Sequence, residues 1–217
     1  YIALDKLGLR PLSLGRIGDK GIVVASETCA FDVIGAEYLR DVHPGEVIRI
    51  DLNGITSDRY AKTCHRSMCS MEYVYFARPD SDVEGINVHQ ARKNCGRVLA
   101  KESHVEADIV VGVPDSGLSA AIGYAEEANI PFEIGMIKNK YIGRTFIKPS
   151  QELREQGVKM KLSAVRSIVK DKRVILIDDS IVRGTTSRRM VDMLRDAGAK
   201  EVHVRIASPE IKFPCFY

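Results

Sequence analysis

The stretch VILIDDSIVRGTTSRRM, residues 174–190, decides the fold predicted for this chain. Its first four residues are apolar and indicate a buried strand, and Asp178 and Asp179 stand at the end of that run. Gly184 and several hydroxyl residues then lead into a segment with helical spacing. Carboxylates repel phosphate, whereas glycine and hydroxyl residues at a helix start attract it. A ligand that carries hydroxyl groups on one part and phosphate on another satisfies both features.

Strand and helix patterns alternate around this stretch, from residue 86 onward. Apolar runs predict strands at 108–113, 132–137, 172–179 and 202–207. Periodic segments predict helices at 87–103, 116–129 and 187–198, with Gly198 ending the last one. The apolar side of the first helix is predicted to consist of Val88, Ala91, Cys95, Val98 and Leu99. Because the strands are apolar throughout, we predict an α/β fold whose mostly parallel sheet is flanked by helices on both faces.

Residues 1–60 show an antiparallel pattern instead. The run GIVVAS at 21–26 predicts a short strand. The segment EVIRIDLNGITSD at 46–58 places Asn53 and Gly54 between two alternating runs, which is a strong hairpin signal. EYVYFA at 72–77 predicts a further strand, because aromatic and β-branched residues favour extended structure.

Composition excludes several classes of protein. Of 217 residues, 45% are hydrophobic and 28% are charged, so extensive disorder is not expected. The net charge of +3 does not favour a dedicated nucleic-acid binder, and no apolar run approaches the roughly 18 residues that cross a bilayer. Five scattered cysteines favour a reducing, cytoplasmic compartment, with Cys29 as a packed thiol. The ends of the sequence lead us to expect an excerpt from a longer protein.

The residues after the 174–177 strand have the chemistry of a ribose 5-phosphate site. Ligands of open parallel sheets bind beyond the carboxyl ends of the strands, where Asp178 and Asp179 are expected. Their carboxylates can accept hydrogen bonds from two vicinal hydroxyls. The phosphate would lie at the following helix start, among Gly184, the hydroxyls of residues 185–187 and free main-chain N–H groups. The plainer alternative is a solvated strand end followed by an ordinary helix start.

A second turn, PDSG at 114–117, follows the strand predicted next to this one. Its main-chain N–H groups can surround an anion, and we predict that Asp115 and Ser116 belong to a second anion-binding turn. An ordinary strand–helix turn is the alternative.

A basic segment, IKNKYIGRTFIKP at 137–149, is predicted to be a lid that closes over a bound polyanion and excludes water. Its candidate contacts are Lys138, Lys140 and Arg144, and a solvated loop is the alternative. Ligands with several phosphate groups normally bind with Mg²⁺, which prefers oxygen ligands. The predicted magnesium ligands, direct or through water, are Ser116, Asp178 and Asp179.

The thirteen-residue pattern from Val174 to Thr186 resembles the signature of type I phosphoribosyltransferases. Further segments, including DKLGLRPLSLG, VVASETCAFD, RDVHPGEVIRI and KNKYIGRTFIKPSQELREQGVKMKLSAVR, extend the likeness over essentially all residues. Together they resemble the family of glutamine phosphoribosylpyrophosphate amidotransferases, in its Bacillus-type branch.

This resemblance implies a pentosyltransferase of purine biosynthesis, in which glutamine-derived ammonia displaces pyrophosphate from phosphoribosyl pyrophosphate to give 5-phosphoribosylamine. Residues 1–65 would close an N-terminal-nucleophile glutaminase domain whose catalytic cysteine lies upstream. Residues 66–217 would form a phosphoribosyltransferase domain, incomplete at its C-terminus. The implied contacts of the ribose hydroxyls and the 5-phosphate are Asp178, Asp179, Ser180, Val182, Arg183, Gly184, Thr185, Thr186 and Ser187. The implied contacts of the pyrophosphate are Asp115 and Ser116 in the turn and Lys138, Lys140 and Arg144 in the lid.

The resemblance also implies features of the complete protein. Cys69 and Cys215 would be two ligands of a [4Fe–4S] cluster, with Cys64 as the substitute if the assignment is shifted. A homo-oligomer, namely a tetramer, and feedback inhibition by purine nucleotides are further expectations.

Two other functions remain open at this stage. A purine salvage phosphoribosyltransferase would use the same ribose-phosphate site but would not explain residues 1–65. A regulator with the same fold that senses phosphoribosyl pyrophosphate would need a basic DNA-binding module, whereas the N-terminal residues predict hairpins.

Overall fold

The computed structural model describes residues 1–19, 21–139 and 162–216. The chain forms two compact units, Tyr1–Ala91 and Arg92–Tyr217. Within the described residues, no helix has both the length and the apolar character needed to cross a membrane.

The first unit is built from short antiparallel strands. One sheet has the order β3-β2-β4 and another the order β1-β5-β6, with every pairing antiparallel, as predicted for residues 1–60. A two-stranded ribbon, β7-β8, follows. The elements are β1 Ile2–Ala3, β2 Ser13–Ile17, β3 Gly21–Ala25, α1 Cys29–Ile34, β4 Glu37–Asp41, β5 Glu46–Asp51, β6 Gly54–Arg59, β7 Asp82–Val83 and β8 Ile86–Asn87. Cys29 is 5% exposed, so the prediction of a packed thiol is confirmed.

The predicted hairpin forms, but its turn lies one residue earlier than expected. Asp51 pairs with Gly54, so the loop consists of Leu52 and Asn53 rather than Asn53 and Gly54. The Asp51 carboxylate accepts a hydrogen bond from the Asn53 main-chain N–H at 2.8 Å, which favours this tight loop.

The predicted strand at 72–77 is wrong, because Glu72–Phe76 forms a π-helix. The Ala77 N–H donates to the Glu72 carbonyl at 3.1 Å, closing this wider turn. The Glu72 carboxylate is buried and accepts a hydrogen bond from the Arg10 guanidinium at 2.6 Å. The same guanidinium lies 4.4 Å from the centre of the Phe76 ring. These nonlocal contacts outweigh the strand preference of the aromatic residues.

The second unit contains the predicted parallel sheet, with strand order β13-β12-β9. A single parallel bridge joins Val110 of β9 to Phe132. From residue 88 onward the elements are α2 Val88–Glu102, β9 Ile109–Gly112, α3 Leu118–Ala128, β10 Met136–Lys138, β11 Leu162–Ala164, α4 Arg166–Val169, β12 Arg173–Asp178, α5 Thr185–Asp196 and β13 Glu201–Ile206.

Alternate residues of the central strands enter two cores, one on each face of the sheet. Val174 and Leu176 pack with residues of α5, whereas Ile175 and Ile177 pack with residues of α3. All four side chains are fully buried. This arrangement explains why the strand is apolar at every position, and it confirms the prediction of a sheet covered on both faces.

Helix α2 forms where predicted, and its buried side agrees with the predicted one only in part: Val88 is buried and Leu99 packs against the core. The buried positions are Val88, Arg92, Gly96 and Ala100, whereas Cys95 and Val98 are exposed. The reason is close helix packing: a β-carbon on Gly96 would lie 1.9 Å from the Ala120 carbonyl oxygen of α3. The smallest residue, rather than the most apolar ones, therefore faces the neighbouring helix.

The predicted strand at 132–137 is also shorter than expected. Phe132 makes only the isolated bridge, and the strand proper begins at Met136 and pairs antiparallel with β11. Gly135 separates the two parts because its N–H donates to the Glu133 carbonyl at 3.0 Å. Gly198, with φ of 99°, follows the end of α5, as predicted.

Candidate functional site: the carboxyl edge of the parallel sheet

Asp178 and Asp179 lie at the carboxyl end of the central strand β12. Only 9% of Asp178 and 7% of Asp179 are exposed. Their main-chain carbonyls accept hydrogen bonds from the N–H groups of Ala207 at 2.9 Å and Ser208 at 3.0 Å. These bonds continue the ladder with β13, so the backbone that carries both carboxyls is fixed on this side.

The two carboxyls form a buried acidic pair. Burial, together with the negative charge of Asp179, raises the pKa of Asp178 to about 6, although a hydrogen bond from the Asp179 N–H at 2.9 Å opposes the shift. The Ser180 hydroxyl donates to the Asp179 carboxylate. Hydroxyl donors or a cation would stabilise this pair in its charged form, which is the chemistry required to hold a ribose diol or Mg²⁺.

The loop that follows leads directly to the start of helix α5. Gly184 stands at the N-cap with φ of 72°, a left-handed conformation that glycine adopts without strain. It has no side chain to cap the helix, and a β-carbon placed there would have no heavy atom within 4 Å. Thr185 and Thr186 are exposed in the first turn. The helix begins at Thr185, two residues earlier than predicted. The first N–H groups of a helix have no intrahelical partner, so this start is suited to binding an anion.

The remaining residues of this loop are mostly accessible. Val182 is 88% exposed, Arg183 is exposed, and Ser187 is partly buried within the helix. Ile181, which the sequence did not single out, is 51% exposed.

The second loop, at 114–117, lies at the same edge of the sheet. Strand β9 pairs in parallel with β12, and its ladder continues as the Val113 N–H donates to the Ile177 carbonyl at 2.9 Å. The Pro114–Asp115 peptide bond is cis. The turn holding Asp115 and Ser116 therefore begins beside the strand end that carries Asp178, as the parallel sheet predicted.

Gly117 is the last residue of this second loop, and it packs closely against strand β12, which the sequence did not predict. A β-carbon on Gly117 would lie 2.4 Å from the Ile177 carbonyl oxygen of β12. Glycine at this position thus permits close packing of the turn against the neighbouring strand.

One residue of the predicted lid contacts the second loop. The Lys138 ammonium, at the end of β10, lies 2.7 Å from the Asp115 carboxylate. Lys140 and Arg144 lie outside the described residues.

The cysteines predicted to bind iron are not part of a metal cluster in the described part of the chain. Histidine, cysteine, aspartate and glutamate form no group of three or more there that could hold a metal ion. Cys69 is partly buried, and its main-chain N–H donates to the Leu9 carbonyl at 3.0 Å. Cys215 is exposed, and the substitute candidate Cys64 is partly buried.

Comparison with protein families identifies the family of this chain. The model of the phosphoribosyl transferase domain matches residues 83–208, more than half of the chain. The chain belongs to the phosphoribosyltransferase family. Both loops of the candidate site, at 114–117 and 180–187, lie inside the matched range.

Two curated relatives are more specific than the family model. The chain is 67% identical over 216 residues to the amidophosphoribosyltransferase of Bacillus subtilis (strain 168), covering 100% of this chain and 45% of the relative. It is 54% identical over 217 residues to the amidophosphoribosyltransferase of Mycobacterium tuberculosis (strain CDC 1551 / Oshkosh), covering 41% of that relative. The chain thus spans less than half the length of these relatives.

Solved structures give the same result. A glutamine phosphoribosylpyrophosphate amidotransferase from B. subtilis, complexed with ADP and GMP, matches with a TM-score of 0.91 and 67% identity. The match covers 99% of this chain and 47% of that one. A second structure, described as the allosteric regulatory enzyme of purine biosynthesis, matches with a TM-score of 0.92 over 99% of this chain and 46% of its own.

Proposed function

We propose that residues 1–217 form the phosphoribosyl-pyrophosphate-binding part of an amidophosphoribosyltransferase of purine biosynthesis. In this reaction, ammonia derived from glutamine attacks C1 of the ribose and pyrophosphate leaves, giving 5-phosphoribosylamine. The observation that carries the proposal is the buried pair Asp178 and Asp179 directly before an open helix start. The amidophosphoribosyltransferases at 67% and 54% identity support the choice of this reaction within the family.

Each part of the substrate has a matching group at the sheet edge. The carboxylates of Asp178 and Asp179 accept the two ribose hydroxyls. The 5-phosphate binds to residues 180–187, through main-chain N–H groups and the hydroxyls of Thr185 and Thr186. Pyrophosphate binds to main-chain N–H groups of the turn that contains Asp115 and Ser116, and the basic side chains of Lys138, Lys140 and Arg144 neutralise its charge.

Catalysis in this proposal depends on positioning and charge neutralisation. Ammonia that reaches the site uncharged needs no general base, so the protein's task is to hold C1 in line and to stabilise the leaving pyrophosphate. Exclusion of water matters because water is a competing nucleophile.

The donor atoms at this edge fit Mg²⁺. Asp178, Asp179 and Ser116 offer carboxylate and hydroxyl oxygens, and magnesium sites commonly combine one or two carboxylates with substrate phosphates and water. When bound, the ion would neutralise charge on the pyrophosphate. The protein's part is to present two preplaced carboxylates, one of which is partly protonated near pH 6 and gains its charge in the presence of the cation.

Residues 1–65 would complete an N-terminal-nucleophile glutaminase domain in the full-length protein. Their antiparallel sheets are compatible with such a role. We place the glutamine-hydrolysing cysteine outside residues 1–217, and residues 66–217 would then form an incomplete phosphoribosyltransferase domain.

Other features of the full-length protein are part of the same proposal. Cys69 and Cys215 would supply two of the four thiolates that a [4Fe–4S] cluster needs, so two further cysteines would have to join them. Purine nucleotides would inhibit by competing for the ribose-phosphate site, and the B. subtilis structure complexed with ADP and GMP supports this expectation. We further propose a homotetramer in the cytoplasm.

Pyrophosphate release tests the proposed reaction directly. The full-length protein is expected to release pyrophosphate from phosphoribosyl pyrophosphate and Mg²⁺ when given glutamine, and also when given ammonia. Turnover with a purine base and with neither nitrogen source would favour the salvage function instead. Binding of phosphoribosyl pyrophosphate without any turnover would favour a regulator.

A further inference from the structure

The contact between Asp115 and Lys138 is unexpected in an anion-binding site. The Lys138 ammonium lies 2.7 Å from an Asp115 carboxylate oxygen, and both side chains remain accessible, with 44% and 72% exposed. Asp115 belongs to the turn after β9, whereas Lys138 is the last residue of β10. The ion pair therefore joins two segments that both contact pyrophosphate under the proposed function.

The two residues have opposite effects on a pyrophosphate in this turn. The ammonium attracts the anion and the carboxylate repels it. While Asp115 holds Lys138, the ammonium already has a negative partner, and an incoming pyrophosphate must compete for it. The other described contacts of this edge, at Asp178 and Asp179, concern hydroxyl and cation binding and do not relieve this competition.

We propose that Asp115 serves as an internal substitute for pyrophosphate, which holds Lys138 in the ligand-free protein and releases it when phosphoribosyl pyrophosphate binds. This inference rests on the proposed function, because it assumes that pyrophosphate occupies the 114–117 turn. Asp115 thereby lowers affinity for the substrate, and it keeps the basic strand end beside the turn until the substrate arrives.

The expected effect is modest because the pair is exposed. An exposed ion pair changes an equilibrium by roughly two- to fivefold. In the full-length protein, Asp115→Asn is expected to lower the dissociation constant for phosphoribosyl pyrophosphate, measured by calorimetry with Mg²⁺, by about that factor. Rising salt should bring the variant and the wild type together, because salt screens exposed charges.

Lys138 decides whether the gain arises from the ion pair. Lys138→Met is expected to weaken binding, and Asp115→Asn in that background should give less than half of its original gain. Glu106→Gln is the matched control: it removes a carboxylate, 88% exposed, near Arg173 at the opposite edge of the sheet, and it should leave the dissociation constant unchanged.

Two results would overturn the inference. If Asp115→Asn weakens binding, its carboxylate contributes to holding the substrate; if the gain persists fully with Lys138→Met, the pair is irrelevant. Both readings require that the wild type binds phosphoribosyl pyrophosphate. Absence of that binding in the wild type would instead refute the proposed function.

Discussion

The main-chain N–H of Asp179 donates a hydrogen bond to the carboxylate of Asp178 at 2.9 Å, within a site where both residues are more than nine-tenths buried. Two adjacent carboxyl groups are thus buried where their negative charges repel each other and where water is largely excluded. Such an arrangement is unfavourable for folding. It is expected at a binding site where the ligand supplies the hydroxyl donors or the cation that stabilise the two carboxylates.

The raised pKa of Asp178 predicts an unusual dependence of stability on pH. The pKa is about 6 in the folded protein against an ordinary value of 3.8, so the folded state binds more protons than the unfolded state between these values. The contribution of this group to the free energy of unfolding therefore falls as pH rises from about 4 to about 6, by up to roughly 3 kcal/mol. Asp178→Asn should remove this fall and stabilise the protein at neutral pH.

Urea unfolding of the wild type and Asp178→Asn between pH 4 and 7.5 measures this effect. The difference in the free energy of unfolding between the two proteins should grow with pH through the window and then level off. A constant difference across the whole range would show that the folded-state pKa of Asp178 is ordinary.

Close packing of helices α2 and α3 gives a second prediction. A β-carbon on Gly96 would lie 1.9 Å from the Ala120 carbonyl oxygen, and one on Gly123 would lie 1.9 Å from the Lys93 carbonyl oxygen. In an open helix, alanine is about 1 kcal/mol more favourable than glycine. Gly96→Ala and Gly123→Ala should instead each destabilise the protein by at least about 2 kcal/mol, because the helices must move apart.

Val98→Ala provides the control on the exposed side of the same helix, since Val98 is 52% exposed. Its free energy of unfolding should stay within about 0.5 kcal/mol of the wild type. Stabilisation by either glycine substitution, measured in urea, would contradict the described approach of the two helices.

Glu46 is expected to be a principal ionic contact of the first unit. It is 3% exposed, and its carboxylate accepts hydrogen bonds from Arg40 at 2.6 and 3.0 Å, from the Ser57 hydroxyl at 2.5 Å and from the His43 N–H at 2.7 Å. Burial alone would raise the pKa of Glu46, but these bonds lower it to about 2. Glu46→Gln should lower the free energy of unfolding by about 2 to 4 kcal/mol at neutral pH.

The sign of the pH dependence is opposite to that of Asp178. Because the folded-state pKa of Glu46 lies below its ordinary 4.5, its stabilising contribution is complete above pH 4.5 and is lost as pH falls towards 2. Asp80→Asn, in the same unit, removes a partner of exposed Arg78 and should leave stability nearly unchanged. Equal effects of the two substitutions in urea unfolding would refute this account of Glu46.

The parts of the fold that the sequence predicted are those governed by local pattern. Apolar residues at every position of 174–177 suffice to predict a strand buried on both faces, and the parallel sheet then brings the ends of β9 and β12 to one edge. The failures have nonlocal causes. The π-helix at Glu72–Phe76 depends on Arg10, far away in sequence, and the buried side of α2 depends on the Ala120 carbonyl of another helix.

The candidate site shows the same division. The acidic pair and the glycine before α5 could be predicted, because both follow from a strand end meeting a helix start. The ion pair between Asp115 and Lys138 could not, because it depends on the relative placement of β9 and β10. The tight approach of Gly117 to the Ile177 carbonyl likewise has no local signal.

The most direct test concerns the acidic pair itself. We expect the double substitution Asp178→Asn with Asp179→Asn, in the full-length protein, to weaken binding of phosphoribosyl pyrophosphate with Mg²⁺ by at least about tenfold, because charge-assisted bonds to the ribose hydroxyls and the ion are lost. Its midpoint of urea unfolding should not fall. A dissociation constant equal to that of the wild type, in a folded double variant, would contradict the assignment of the sugar to this strand end.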